Sequence, residues 1–136
     1  MMNAWDQRFG GIERLCGKSA SQKIRDAHVC IIGIGGVGSW TAESLARTGI
    51  GKLTLVDMDE VCVTNVNRQV HALDGEVGQL KVESMARRIR LISPDCIVQP
   101  QSVFFTQATS NAIFDERYDV VVDAIDRLNA KCLLLN

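Results

Sequence analysis

This sequence has no apolar run long enough to cross a membrane. Its runs are short, Val120-Val121-Val122 among them, where a spanning helix needs about 20 apolar residues. Met1 to Arg8 lacks the apolar stretch of a secretory signal. Charge of one sign is missing too. Fifteen Lys and Arg stand against sixteen Asp and Glu, a net charge of −1. That balance excludes a protein held on nucleic acid by bulk charge and leaves a local basic patch open. The five cysteines (Cys16, Cys30, Cys62, Cys96, Cys132) are scattered and form no C-x-x-C pair. Neither a disulfide framework nor a sequence-local zinc site is indicated, and they read as buried, reduced thiols of a cytoplasmic protein. There is no Pro-, Gly- or Ser-rich linker and no internal repeat.

What remains is an ordinary globular composition, 46% hydrophobic and 23% charged over 136 residues, the length of one domain. Residues 1–27 read as an N-terminal helical segment. Trp5, Phe9, Ile12 and Leu15 recur there at helical spacing, with a break at Gly10-Gly11. Residues 28–136 read as one α/β unit. His28 to Ile32 is a short β-branched run ending in glycines, the pattern of a buried strand. A helix is predicted from about Val37 to Thr48, with Val37, Trp40, Thr41, Ser44, Leu45 and Thr48 along one face and Gly49 to end it. Leu53 to Val56 is the second strand. Met58 to Gly75 is polar and aperiodic, a functional loop or a series of short turns.

A second helix is predicted from about Glu76 to Leu91, on the stripe Val82, Met85, Ala86, Ile89 and Ile92, with Ser93-Pro94 stopping it. Cys96 to Val103 is a weaker strand, and Pro100 suits it to a sheet edge or a strand end. A short helix at Gln107 to Phe114 precedes a buried strand, Tyr118 to Ile125, and a final helix begins beyond it. This alternation predicts an open, mostly parallel sheet with right-handed crossovers.

Gly33-Ile34-Gly35-Gly36-Val37-Gly38 fits G-x-G-x-x-G between a predicted strand and a predicted helix, the context that gives the pattern meaning. Glycine lets the backbone approach phosphate oxygens, which N–H groups and a helix N-terminus then bind. Asp57 ends the second strand, where an acid accepts hydrogen bonds from ribose hydroxyls. These two features leave NAD, FAD and ATP open.

The polar loop favours a triphosphate. Asn65-Val66-Asn67-Arg68-Gln69 supplies a cation and three amides, and Lys81 adds a second cation, a match to the greater charge of a triphosphate. An NAD(P)-dependent oxidoreductase gives no role to Arg68, Lys81 or Asp126. Asp123-Ala124-Ile125-Asp126 closes the last strand at the carboxyl edge, where such sheets bind ligands. Asp126 is a candidate Mg²⁺ ligand and also a candidate helix N-cap.

Together, Gly33 to Ser39, Asp57-Met58-Asp59, Asn65 to Gln69, Lys81-Val82-Glu83 and Asp123 to Asp126 resemble the ubiquitin-activating-type adenylyltransferases, the superfamily of the molybdopterin and thiamine adenylyltransferases. The resemblance implies a Rossmann-like sheet that binds ATP and Mg²⁺ and adenylates a carboxylate. It implies Gly33, Gly35, Gly36 and Gly38 at the phosphates, Asp57 at the ribose and Asp126 on Mg²⁺. Asn65, Arg68, Gln69 and Lys81 complete the ATP site it implies. Arg8 would reach across a homodimer to the ATP of a second copy, and Arg68, Lys81 and Arg8 are the candidate catalytic residues.

Trp5, Gln7 to Gly11, Ala46 to Gly51 and Val61 to Asn65 are similar to one branch of that family. This branch acts on tRNA carrying threonylcarbamoyladenosine: it adenylates the carboxylate, and intramolecular attack then closes a ring and expels AMP. Adenylation of the C-terminal glycine of a ubiquitin-like or sulfur-carrier protein is the alternative. Family members run on into further strands, so the resemblance implies a Rossmann-like domain truncated after about four strands, with an unpaired edge. An inactive ATP-binding fragment is therefore a further reading.

Overall fold

The computed structural model describes residues 1–136. Two N-terminal helices, α1 (Ala4–Cys16) and α2 (Lys18–Asp26), lead into β1 (His28–Ile32). Then follow α3 (Gly38–Thr48), β2 (Lys52–Val56), α4 (Lys81–Ile92), β3 (Ile97–Gln101), α5 (Gln107–Ile113), β4 (Val120–Asp123) and α6 (Leu128–Leu134). No helix is long and apolar enough to cross a membrane.

All five residues of β1 are buried, and the two-residue period of a strand divides them between two cores. Val29 and Ile31 join a 14-residue core with the inner faces of α3 and α4. Cys30 and Ile32 join a smaller one with Val56, Phe105 and Ile113. The sheet therefore sits between two layers of helix. Its order is β3-β2-β1-β4, and every pairing is parallel. The chain steps outward from β1 to β3, then returns to lay β4 on the other side of β1. This reversal brings the carboxyl ends of β1 and β4 together, the switch point at which open α/β sheets bind ligands.

Several expectations are corrected. Gly10-Gly11 does not break α1; the break falls at Gly17. Trp5 and Phe9 are buried, while Leu15 is exposed. The face predicted for α3 is divided: Val37, Trp40 and Ser44 are exposed, Thr41 and Thr48 are intermediate, and Leu45 packs against the core, while Gly38, Ser39, Ala42, Glu43 and Ala46 form the buried side. Close packing on β1 and α4 selects small side chains, and a period of 3.6 cannot tell a small inner stripe from a larger outer one. The charge this buries is matched. Glu43 accepts from Arg88 at 2.6 and 2.9 Å and from Arg47 at 2.9 Å. Burial pushes its pKa up, and these hydrogen bonds more than reverse the effect.

The second predicted helix begins at Lys81, not Glu76. Residues 76–80 instead close the polar loop: Val61 N–H donates to Gln79 O at 2.7 Å, Lys81 N–H to Asp59 O at 2.9 Å, and Glu60 bridges Leu80. The loop is a series of turns, with short 3-10 helices at Val63–Asn67 and Asp74–Glu76. β3 is an edge strand, as Pro100 allows. The predicted buried strand 118–125 shortens to β4, outermost beside β1 among these four strands, and Val120 and Val121 are exposed. Of the cysteines, only Cys30 and Cys96 are buried; Cys16, Cys62 and Cys132 are exposed.

Candidate functional site

A cavity of about 1120 Å³ opens at the switch point, over the carboxyl ends of the strands. Gly33, Gly35 and Gly36 line one wall, Asp57 and Asp59 the end of β2, Arg68, Gln69 and Lys81 the polar loop, and Asp123 and Asp126 the end of β4. Three residues singled out from the sequence lie outside it. Gly38 sits behind the turn, where a Cβ would overlap Gly33 O. Asn65 is buried in the loop, its Oδ1 accepting from Cys62 N–H at 2.8 Å, so it shapes the turn that presents Arg68. Arg8 is exposed on α1 and does not border the cavity.

Asp57 braces the glycine turn. Oδ2 accepts from Ile34 N–H at 2.7 Å and Oδ1 from Asp59 N–H at 2.8 Å. A carboxylate offers about four acceptor positions, so Asp57 keeps capacity for a ligand hydroxyl. Gln69 is buried beside Gly35, and its Oε1 has no donor. A buried acceptor left unpaired is costly. The Lys81 side chain is 9% exposed, and its nearest carboxylate, Asp59 Oδ2, is 4.0 Å from Nζ. A buried cation without a close counter-ion beside a glycine turn marks this wall for an anion.

On the facing wall, Asp123 Oδ1 accepts from Lys131 Nζ at 2.9 Å and from Ile125 N–H at 3.0 Å. Burial raises its pKa and these contacts more than reverse that, leaving it below the usual range. Asp126 is exposed on the cavity rim, and the residue capping α6 is Arg127, without a side-chain bond. Asp126 lines the same cavity as Arg68 and Lys81, and a single exposed carboxylate is compatible with Mg²⁺, which takes one or two carboxylates and completes its shell with water and phosphate.

The sequence reading missed the third side of the cavity, Val103 to Thr106 in the β3–α5 loop with Gln107 at the start of α5, and Lys131 on α6. Phe104 is partly exposed there, with the Arg127 guanidinium 4.6 Å over its ring. The element order held a signal for this loop: it follows a parallel strand, and every such loop lies at the carboxyl edge.

Beneath the glycine turn, His71 is 1% exposed, with Nε2 2.8 Å from Ile34 O. That carbonyl requires the proton on Nε2, leaving Nδ1 an acceptor without a partner. Burial pushes the His71 pKa below the ordinary 6.5, and burial and then Lys52 do the same to His28. Below about pH 6.5 the unfolded chain therefore takes up protons that the folded chain does not, and stability falls as pH drops. The melting temperature is expected to decline from pH 7 to 5.5, and His71→Asn to flatten that decline. An equally steep decline in the variant would rule out His71 as a source.

A parallel sheet with a glycine turn after β1, an acid after β2 and a cavity at the switch point defines a Rossmann-like nucleotide-binding fold. The ThiF family model matches residues 11–136, and the chain belongs to that family. The tRNA threonylcarbamoyladenosine dehydratase of Escherichia coli is 54% identical over 133 residues, 98% of this chain and 50% of that protein. A crystal structure of that dehydratase in complex with ATP matches with a TM-score of 0.96, over 98% of this chain and 55% of that one. The Escherichia coli molybdopterin-synthase adenylyltransferase is 36% identical over 117 residues, 82% of this chain and 47% of that protein. The chain spans about half the length of the curated relatives it matches.

Proposed function

We propose that this chain carries the ATP-binding half of a cytoplasmic tRNA threonylcarbamoyladenosine dehydratase. The observation that carries the reading is the buried, weakly countered Lys81 set with Arg68 beside the glycine turn. Kinship with a dehydratase crystallised with ATP supports it. Gly33, Gly35 and Gly36 let the triphosphate approach the backbone, Asp57 accepts from the ribose, and Gln69 lines the cavity beside Gly35. Arg68 and Lys81 neutralise the phosphates. Asp126 would hold Mg²⁺, which when bound would offset phosphate charge.

In the reaction, a carboxylate oxygen of the threonylcarbamoyl group attacks the α-phosphorus, the bond to the β-phosphate bridging oxygen breaks, and pyrophosphate leaves. Positioning and charge neutralisation by Arg68 and Lys81 supply the catalysis, with no protein nucleophile. Intramolecular attack on the acyl-adenylate then closes the ring and expels AMP. Arg8 enters this scheme only by crossing a homodimer to a second copy's cavity.

The test is exchange of labelled pyrophosphate into ATP, with tRNA bearing threonylcarbamoyladenosine and with a sulfur-carrier protein. Exchange with the tRNA alone is expected. Exchange with the carrier alone would favour the second reading, which likeness to the molybdopterin-synthase adenylyltransferase supports. ATP binding without exchange would identify an inactive fragment. Asp126→Ala is expected to weaken Mg²⁺-dependent ATP binding about tenfold, the worth of one charge-assisted contact, while metal-free ATP binding holds. Unchanged Mg²⁺ dependence in calorimetric titrations would remove Asp126 from the metal.

A further inference from the structure

Trp40 stands in the first turn of α3, half exposed on the side turned away from the sheet. So placed, the indole keeps about half of its surface in solvent, and its polar end does something specific. Its Nε1–H donates to the Arg68 carbonyl at 2.9 Å, across 28 residues of chain. Arg68 caps the 3-10 turn Val63–Asn67, its own N–H donating to Asn65 O at 3.1 Å. From there its side chain runs over the glycine turn. A Cβ on Gly36 would lie 3.7 Å from Arg68 Cγ and 4.0 Å from the carbonyl oxygen that Trp40 holds. The guanidinium Nη1 donates back to Thr64 O at 3.1 Å and Asn67 Oδ1 at 2.9 Å.

The arginine is thus held at both ends, its backbone by α3 and its head group by its own loop. Trp40 does not border the cavity, so any effect on a ligand must pass through Arg68. Fixing the backbone of a long, flexible cation reduces the freedom lost when it closes on an anion.

We propose that Trp40 is a positioning residue for Arg68, its indole N–H setting the arginine backbone against the glycine turn so that the guanidinium meets the phosphates of a nucleotide. The proposal rests on the nucleotide reading above. Trp40→Phe keeps an aromatic ring and removes the N–H donor together with the pyrrole part of the indole, so the melting curves report any packing lost with it. ATP and adenosine affinities are measured by titration calorimetry on the unaltered protein, W40F, R68A and the double variant, with melting curves for each.

W40F is expected to weaken ATP binding about three- to tenfold, the worth of one hydrogen bond, and to leave adenosine binding unchanged. In the R68A background the same change is expected to cost nothing more, because coupled residues are not additive. Additive losses, unchanged ATP affinity in W40F, or equal loss of ATP and adenosine with a lowered melting point would each overturn the proposal. If the unaltered protein binds no ATP, the nucleotide reading falls and this role falls with it. ATP binding with an additive cycle removes Trp40's role alone.

Discussion

Gly33→Ala is expected to lower the melting temperature by about 10 °C or more and to abolish nucleotide binding. Gly33 lies in the left-handed region, with φ of 96°, and a Cβ there would stand 2.5 Å from Ala124 O and 2.8 Å from Ala124 C. The neighbour is backbone held in place by the sheet: Ala124 N–H donates to Ile32 O at 2.9 Å, and Gly33 N–H donates to Val56 O at 2.9 Å. Neither side can yield without breaking a ladder. Left-handed strain costs about 1–2 kcal/mol and overpacking about 1–3 kcal/mol, which at this chain length is a shift of several degrees per kcal/mol. Thermal unfolding followed by circular dichroism measures it. A shift below about 3 °C would show that the two loops at the switch point are free to separate.

Asp57→Ala is the second change with a large expected effect, about a 100-fold loss of ATP affinity. The carboxylate holds the glycine turn through Ile34 N–H and the β2 end through Asp59 N–H, and under the proposed reading it also receives the ribose. Hydrogen bonds to a charged group are worth about 1.5–3 kcal/mol each, so losing the ribose contact together with order in the turn amounts to about two decades. Adenosine affinity is expected to fall in parallel, because the ribose is common to both ligands. This separates Asp57 from Arg68 and Lys81, whose removal is expected to weaken ATP alone. Asp57→Asn retains an acceptor and should fall between. A calorimetric titration in which D57A binds ATP as the unaltered chain does, with its fold intact, would place the ribose elsewhere.

The features legible in the sequence share one property: each is enforced by local physics. A glycine turn between a strand and a helix, an acid at a strand end and amides next to cations in a polar loop are requirements that neighbours in the chain impose on each other. The structure gathers Gly33, Gly35, Gly36, Asp57, Arg68, Gln69, Lys81 and Asp126 around one cavity. Asn65 and Gly38 belong to the same motifs but stand one layer behind it, because a motif shows that a residue is needed and not which atom it supports.

What the sequence by itself determined is the alternation of elements, and with it the parallel sheet and its carboxyl edge, since periodicity and β-branching act over a few residues. The tertiary structure decided which side of α3 faces inward and that Val103 to Gln107 and Lys131 join the site. It also decided that Asp57 braces the turn and that Trp40 holds the carbonyl of Arg68. Each of these depends on which groups meet across dozens of residues. Packing and hydrogen bonding settle that only once the whole sheet has closed.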